Sequence, residues 1–74
     1  MTITIEMKKV DAIKEIMGWK LGYGNGGVPE EIAKKAYNKA RKEYLEDVKL
    51  FGHAFDEFEE YIYSEVHEYY YPDC

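Results

Sequence analysis

The sequence lacks several features that would place it in a familiar class. Its 74 residues contain one cysteine, at the last position, so an internal disulfide cannot form and nothing indicates a disulfide-rich secreted scaffold. No apolar run is long enough for a membrane span, and the first ten residues interleave polar with apolar side chains, unlike a signal-peptide core. We therefore expect a cytoplasmic protein that does not associate with membranes.

Basic residues are missing from the last third of the chain. No Lys or Arg follows Lys49, whereas seven acids do. The formal net charge of −5 thus combines a basic part, residues 1–42, with a strongly acidic part, residues 43–74. An acidic half of this kind repels nucleic acid and attracts basic protein surfaces, so we expect no direct nucleic-acid binding.

Length and composition indicate a single small folded domain over residues 1–74. Hydrophobic residues make up 46% of the chain and charged residues 34%, which is typical of a globular protein. A chain of this length buries only ~60% of the surface that its unfolded form exposes. Eight Tyr, three Phe and one Trp are a high aromatic content, and tyrosine suits half-buried surfaces and interfaces.

Residues 1–8 fit two patterns. Apolar and polar residues alternate strictly, as in a strand. A helical spacing also runs on into the following residues, with Ile3, Met7, Val10, Ile13 and Met17 on one face. We favour a helix from about Thr4, which would cap it, to Met17, because a lone strand has no partner. Gly18 would end this helix. A strand over residues 1–8 stays as the alternative.

Residues 22–27, GYGNGG, spell the G-x-G-x-x-G of dinucleotide-binding turns. That motif needs a preceding strand and several βαβ units, whereas this chain is short and the segment before it is predicted to be a helix. Glu30 and Glu31 also place negative charge where a phosphate would bind. We interpret the segment as a flexible joint that leads to Pro29 at the first position of the next helix.

One apolar helical pattern runs from Pro29 to about Tyr70, and Gly52 lies in its middle. Before the glycine the stripe comprises Ala33, Tyr37, Ala40, Tyr44, Val48 and Phe51, and after it Phe55, Phe58, Ile62, Val66 and Tyr69. A turn at Gly52 gives a helical hairpin within a small all-α domain and brings Lys35 and Lys39 near Glu65 and Glu68. Continuity instead gives one long kinked helix from about 29 to 70, which would have to dimerise. We favour the hairpin, because one chain then buries its own aromatic residues.

No residue spacing indicates an enzyme or a metal site. The sequence contains no C-x-x-C, H-x-x-x-H or H-E-x-x-H pattern. The single thiol, on Cys74, lacks the fixed surroundings that a nucleophile needs. We expect no catalytic activity, no metal and no cofactor.

The acidic, aromatic segment from residue 55 onward is the strongest functional feature. If it is helical, carboxylates share the face opposite its apolar stripe, flanked by tyrosines. Carboxylates three or four residues apart lie ~5–6 Å from each other, so a row of them approximates the anionic track of a nucleic-acid backbone. The residues that we expect to contact a partner are Asp56, Glu57, Glu60 and Glu68 as charges, Tyr61, Tyr63 and Tyr70 for packing and hydrogen bonds, and Tyr23 from the glycine-rich joint.

In size, acidity and lack of a catalytic motif, the chain resembles the small phage-encoded DNA-mimic proteins that block restriction or CRISPR nucleases. The likeness is one of composition and charge layout and does not extend to aligned motifs. It implies a non-enzymatic inhibitor or regulator in a phage-infected cell, whose partner is a basic nucleic-acid-binding protein or nuclease. The alternative hypothesis is a structural or regulatory homodimer formed through the aromatic helix stripe.

Overall fold

The computed structural model describes residues 3–19 and 27–70, without the side chain of Tyr70. Within these residues the chain forms three helices and no strand: α1 at Lys9–Met17, α2 at Glu30–Phe51 and α3 at Phe58–Tyr70. α2 packs against both α1 and α3. The prediction of a small all-α domain is confirmed, and residues 3–8 do not form the alternative strand.

The first helix begins later than predicted. Residues 3–8 form an irregular segment with one turn, in which the Met7 amide donates to the Thr4 carbonyl at 3.1 Å. α1 begins only at Lys9, so Thr4 does not cap it. In this irregular segment the Ile3 side chain is buried in the core, and its amide donates to Oε2 of Glu59 at 3.3 Å. These tertiary contacts outweigh the local helical pattern of the first eight residues.

α1 buries a different face from the predicted one. Ala12, Ile13 and Ile16 are buried, whereas Val10 and Met17 are 58% and 37% exposed. Ile3 and Met7, the first two members of the predicted stripe, precede the start of the helix at Lys9 and so are out of helical register with the rest. Val10 and Met17 are two large apolar side chains of α1 that face outward.

The joint between α1 and α2 brings two backbone segments close together. Gly18 follows the last residue of α1 as predicted, and its amide donates to carbonyls of the helix. The Val28 amide donates to the Met17 carbonyl at 3.1 Å, and a Cβ on Gly27 would lie 1.7 Å from that oxygen. This close approach explains the last glycine of GYGNGG, while residues 20–26 lie outside the described residues.

α2 begins one residue later than predicted. Pro29 occupies the position before the first helical residue, and its carbonyl accepts from the Ala33 amide at 2.9 Å. Glu30 and Glu31 lie in the first turn as predicted, where they favour the helix dipole. They also pair with Lys34 and Lys35, one turn further on.

The chain reverses direction after α2. Gly52 adopts a left-handed conformation with φ +83°, and its amide donates to the Val48 carbonyl at 2.9 Å. A positive-φ glycine is a common device for ending a helix, because it has no Cβ to clash with the preceding carbonyl. α3 then returns along α2. The hairpin is thus confirmed, and the single long helix is not formed.

Small residues on α2 let α3 approach closely. Ala33, Ala36 and Ala40 are fully buried. Beside them the Phe58 ring makes edge contacts with Tyr37 and Tyr44, with ring centroids 5.7 Å and 5.4 Å apart. Edge-to-face contacts of this kind stabilise a core beyond the area that they bury. Among the described residues, the buried apolar side chains are those of Ile3, Ala12, Ile13, Ile16, Val28, Ala33, Ala36, Tyr37, Ala40, Phe58, Ile62 and Val66.

We predict that Gly52→Ala lowers the free energy of unfolding by about 1 kcal/mol, because an L side chain is strained at φ +83° although nothing lies within 4 Å of the added Cβ. Chemical denaturation measures this change. Gly18→Ala is the matched control, since its backbone is right-handed and its Cβ would make an ordinary 3.5 Å contact with the Glu15 carbonyl oxygen. Equal losses in the two variants would contradict the left-handed turn.

Candidate functional site

The predicted acidic face divides into two groups. Asp56 and Glu57 lie in the turn before α3, which begins at Phe58, so their predicted place on a helix face is wrong. Glu60 lies in the first turn of α3. Glu68 follows eight residues later, about 12 Å further along the helix axis. The first three acids therefore gather at the hairpin end of the molecule, away from the fourth.

The carboxylates at the hairpin end are not neutralised by basic side chains. Asp56, Glu57 and Glu60 are exposed, and no Lys or Arg of residues 3–19 and 27–70 forms an ion pair with them. Glu68 differs, because its Oε2 lies 4.0 Å from Nζ of Lys39. Uncompensated negative charge is thus concentrated around the turn and the start of α3.

An open groove of about 590 Å³ lies between residues 3–6 and 54–58. Glu6, Asp56 and Glu57 line it together with the Phe55 ring. We call it the acidic groove. Such a groove suits a Lys or Arg side chain. The carboxylates would accept charge-assisted hydrogen bonds from it, and the aromatic ring would make a cation–π contact with it.

Three large apolar side chains are exposed at the same end of the molecule. Leu50, Phe51 and Phe55 are 72%, 57% and 60% exposed, and the two phenylalanine ring centroids lie 5.1 Å apart. The sequence stripes placed both phenylalanines in the core. They lie outside it because α3 begins only at Phe58 and so does not cover the last turn of α2. We call these three residues the aromatic knob, since clustered exposed apolar groups mark interaction surfaces.

Tyr61, one of the predicted contact residues, has its hydroxyl engaged inside the molecule. It donates to Oδ2 of Asp47 at 2.6 Å and accepts from the Phe55 amide at 3.2 Å. The hydrogen bond to Asp47, together with burial, raises the pKa of the Tyr61 phenol. Tyr61 thus connects α2, the turn and α3, and it positions Phe55 beside the acidic groove.

Tyr63 is the predicted tyrosine that is exposed among the described residues. Its ring lies 6.1 Å from Trp19 and is stacked on His67 at 6.2 Å. This packing holds the ring at the surface of α3, where a partner can contact it. Tyr23 and the side chain of Tyr70 lie outside the described residues.

Sequence reasoning did not identify Glu65 as a buried carboxyl. Glu65 is only 8% exposed, and its Oε1 lies 3.4 Å from Nζ of Lys39. The predicted proximity of Lys39 to Glu65 and Glu68 is confirmed, whereas Lys35 pairs with Glu31 at 3.3 Å.

Burial and a neighbouring carboxyl weaken the acidity of Glu65. Burial is the larger cause, and the neighbouring Glu43 carboxyl adds to it, so that the pKa of Glu65 rises to about 7 although Lys39 acts in the opposite direction. The contact with Glu65 in turn raises the pKa of Lys39. The position of Glu65 three residues after Ile62 was the available clue, because residues three apart share a helix face.

The described residues were compared with the requirements of a metal site and of a membrane-spanning helix. In residues 3–19 and 27–70, no three side chains of the His, Cys, Asp or Glu type are grouped to hold a metal ion. None of the three helices found there is long and apolar enough to cross a membrane.

Comparison with known proteins gives no relative to draw on. No family model matches the chain, and no match is found among curated proteins or solved structures. Its function has to be inferred from the geometry and charge of its own residues.

We predict that Glu65→Gln stabilises the protein by about 1–3 kcal/mol at about pH 8 and that this gain shrinks toward zero as the pH falls to about 4. Folding raises the pKa of Glu65 from 4.5 to about 7, so the folded state holds the proton more tightly. The stability that this bound proton contributes is fully present below the unfolded pKa of 4.5. It is lost as the pH rises through the folded pKa of about 7. Thermal unfolding across this pH range measures the difference.

Glu68→Gln is the control for this pH series, because Glu68 pairs with the same lysine but is exposed. We expect a small effect with no comparable trend. A Glu65→Gln difference that is independent of pH would show that Glu65 keeps an ordinary pKa.

We predict that Tyr61→Phe lowers the free energy of unfolding by about 1 kcal/mol and speeds hydrogen exchange at the Phe55 amide, because both hydrogen bonds of the hydroxyl are lost. Native-state hydrogen exchange by NMR reports on that amide directly. Tyr63→Phe removes a hydroxyl from an exposed ring and serves as the control. Unchanged exchange at Phe55 in Tyr61→Phe would mean that Tyr61 does not hold the turn.

Proposed function

We propose that this protein is a non-enzymatic inhibitor or regulator that binds a basic, nucleic-acid-binding surface of a partner protein. The contact surface comprises the acidic groove and the start of α3. One observation carries this proposal: Asp56, Glu57 and Glu60 are exposed and form no ion pair with a Lys or Arg of the described residues, and the first two line the acidic groove together with the exposed Phe55.

In this proposal the carboxylates occupy the places that phosphates take on the partner. A surface that binds nucleic acid presents Lys and Arg side chains for phosphate oxygens, and carboxylates offer them similar acceptors. Uncompensated charge also speeds the encounter with a basic surface at low salt. Phe55 and Tyr63 add the aromatic contact area that interface centres favour.

Internal ion pairing supports the choice of this end of the molecule. Lys39 is held by Glu65 and Glu68, and Lys34 and Lys35 are held by acids in the first turn of α2. Lys34 and Lys35 lie near the start of α2 and Lys39 near its middle, so these three cations do not offset the charge of the acidic groove. The negative field there remains available to a partner.

The partner that fits this surface best is a nuclease or another nucleic-acid-binding protein in the cytoplasm of a phage-infected cell. Such a protein presents a groove of basic side chains that an acidic, aromatic surface can fill. The small size of the chain and its lack of catalytic spacing agree with an inhibitor that acts by occupying this groove, in the manner of an anti-restriction or anti-CRISPR protein.

A structural or regulatory homodimer is the second candidate, and the exposed aromatic knob favours it. Phe58 and Ile62 are buried within one chain, so they are not available for such a dimer. An interface would instead form through Leu50, Phe51 and Phe55.

We predict that Glu57→Lys/Glu60→Lys abolishes partner binding without unfolding the protein. Both acids are exposed and form no ion pair within the described residues, and the new lysines would repel the basic surface of the partner. The tagged wild-type chain captures proteins from a lysate of the native host, identified by mass spectrometry. Duplex DNA should release the captured protein from the wild type, since both compete for one basic surface.

Asp11→Lys/Glu31→Lys is the matched control. It changes the net charge by the same amount, and like Glu60 both residues are acids in the first turn of a helix, so the cost to the helix dipole is similar. We expect this control to keep the partner. Equal capture by both double variants, or capture that DNA does not reverse, would contradict the proposal.

A further inference from the structure

A second groove lies between α1 and α2, on the basic part of the chain. It has a volume of about 630 Å³, and Val10, Ile13 and Met17 form its apolar floor. Val10 and Met17 are the outward-facing apolar residues of α1, and no other described element covers them. The side chains at its edge are Lys9, Lys14, Lys34 and Glu30.

The rim of this groove is positively charged. It carries three lysines and one glutamate, and the glutamate lies 3.5 Å from Lys34 as an exposed pair that contributes little to stability. An apolar floor with a basic rim fits an apolar group that is flanked by acids.

The aromatic knob of the same chain has this complementary chemistry. Leu50, Phe51 and Phe55 are mostly exposed, and Asp56 and Glu57 follow them directly in the chain. Glu46 is also exposed in the last turns of α2, and Lys49 is the one Lys or Arg among residues 43–70. The knob is therefore apolar at its centre and acidic around it.

The two surfaces lie at opposite ends of α2. Lys34, at the groove, and Phe51, in the knob, are separated by about 25 Å of helix, so the knob of one chain cannot enter its own groove. A second chain can supply it.

We propose that the groove between α1 and α2 of one copy binds the aromatic knob of a second copy. Val10 and Met17 would pack against Phe51 and Phe55, while the lysines of the rim face the acids beside the knob. After pairing, the copy that supplied the groove still has a free knob, and the copy that supplied the knob still has a free groove. The contact is therefore head-to-tail, and further copies can add at either end.

This contact goes beyond the proposed function and does not rest on it. It involves only copies of this chain, and it covers Asp56 and Glu57 of the copy that supplies the knob. Self-association and the binding of a basic partner then compete for the same end of the molecule.

Analytical ultracentrifugation of the purified chain tests the contact, with a reductant present so that Cys74 cannot crosslink copies. We expect the average mass of the wild type to rise with protein concentration and to rise less at high salt, because the charged rim is screened. Val10→Glu, which disrupts the groove, and Phe55→Lys, which disrupts the knob, should each remain monomeric. Both positions are exposed, so both variants should keep the circular dichroism spectrum of the wild type.

An equimolar mixture of the two variants gives the decisive result. The Phe55→Lys copy has an intact groove and the Val10→Glu copy an intact knob, so together they should form a dimer that cannot grow. Leu45→Ser, which changes an exposed leucine of α2 outside both surfaces, should associate like the wild type.

Three results would overturn the proposal. The first is a wild type that stays monomeric at every concentration in low salt. The second is association that Val10→Glu leaves intact, which would indicate that knobs pair with knobs in a symmetric dimer. The third is a mixture of the two variants that stays monomeric. Because only the purified chain is used, these outcomes are independent of whether Glu57→Lys/Glu60→Lys loses a partner.

Discussion

The left-handed turn at Gly52 determines how α3 packs against α2. It ends α2 and sends α3 back along it, so that Phe58, Ile62 and Val66 pack on a single chain. Close packing is possible because α2 presents only small side chains at Ala33, Ala36 and Ala40, with the larger rings of Tyr37 and Tyr44 beside them. Without this reversal the apolar face of α3 would need a second chain to cover it.

The same turn distributes the charge of the molecule. Antiparallel packing brings the acids late in α3 to Lys39, where they are partly neutralised, and one of them, Glu65, is buried. The acids at the start of α3 and in the turn have no such partner among the described residues. Folding thus converts a gradient of charge along the sequence into a molecule with one acidic, aromatic end. Both the proposed partner surface and the proposed self-association use this end.

The sequence predicted correctly those features of the fold that depend on residues close together in the chain. The turn at Gly52, the three-helix architecture and the pairing of Lys39 with Glu65 and Glu68 follow from glycine placement, stripe spacing and the antiparallel arrangement. The predicted start of α1 was wrong, because the burial of Ile3 and its contact with Glu59 depend on where α3 lies. Asp56 and Glu57 were placed on a helix because the stripe stays in phase across the turn. The burial of Glu65 and the exposure of the aromatic knob depend on how far two helices overlap, which a single stripe does not encode.

NMR on a dilute sample shows whether the chain folds back at Gly52 and so creates this acidic, aromatic end. In the hairpin we expect nuclear Overhauser contacts between the Phe58 ring and the rings of both Tyr37 and Tyr44, whose centroids lie 5.7 Å and 5.4 Å away. In a continuous helix Phe58 would lie about 20 Å from Tyr44, too far for any such contact. Absence of both contacts, together with an unbroken helical pattern of amide contacts through Gly52, would contradict the account.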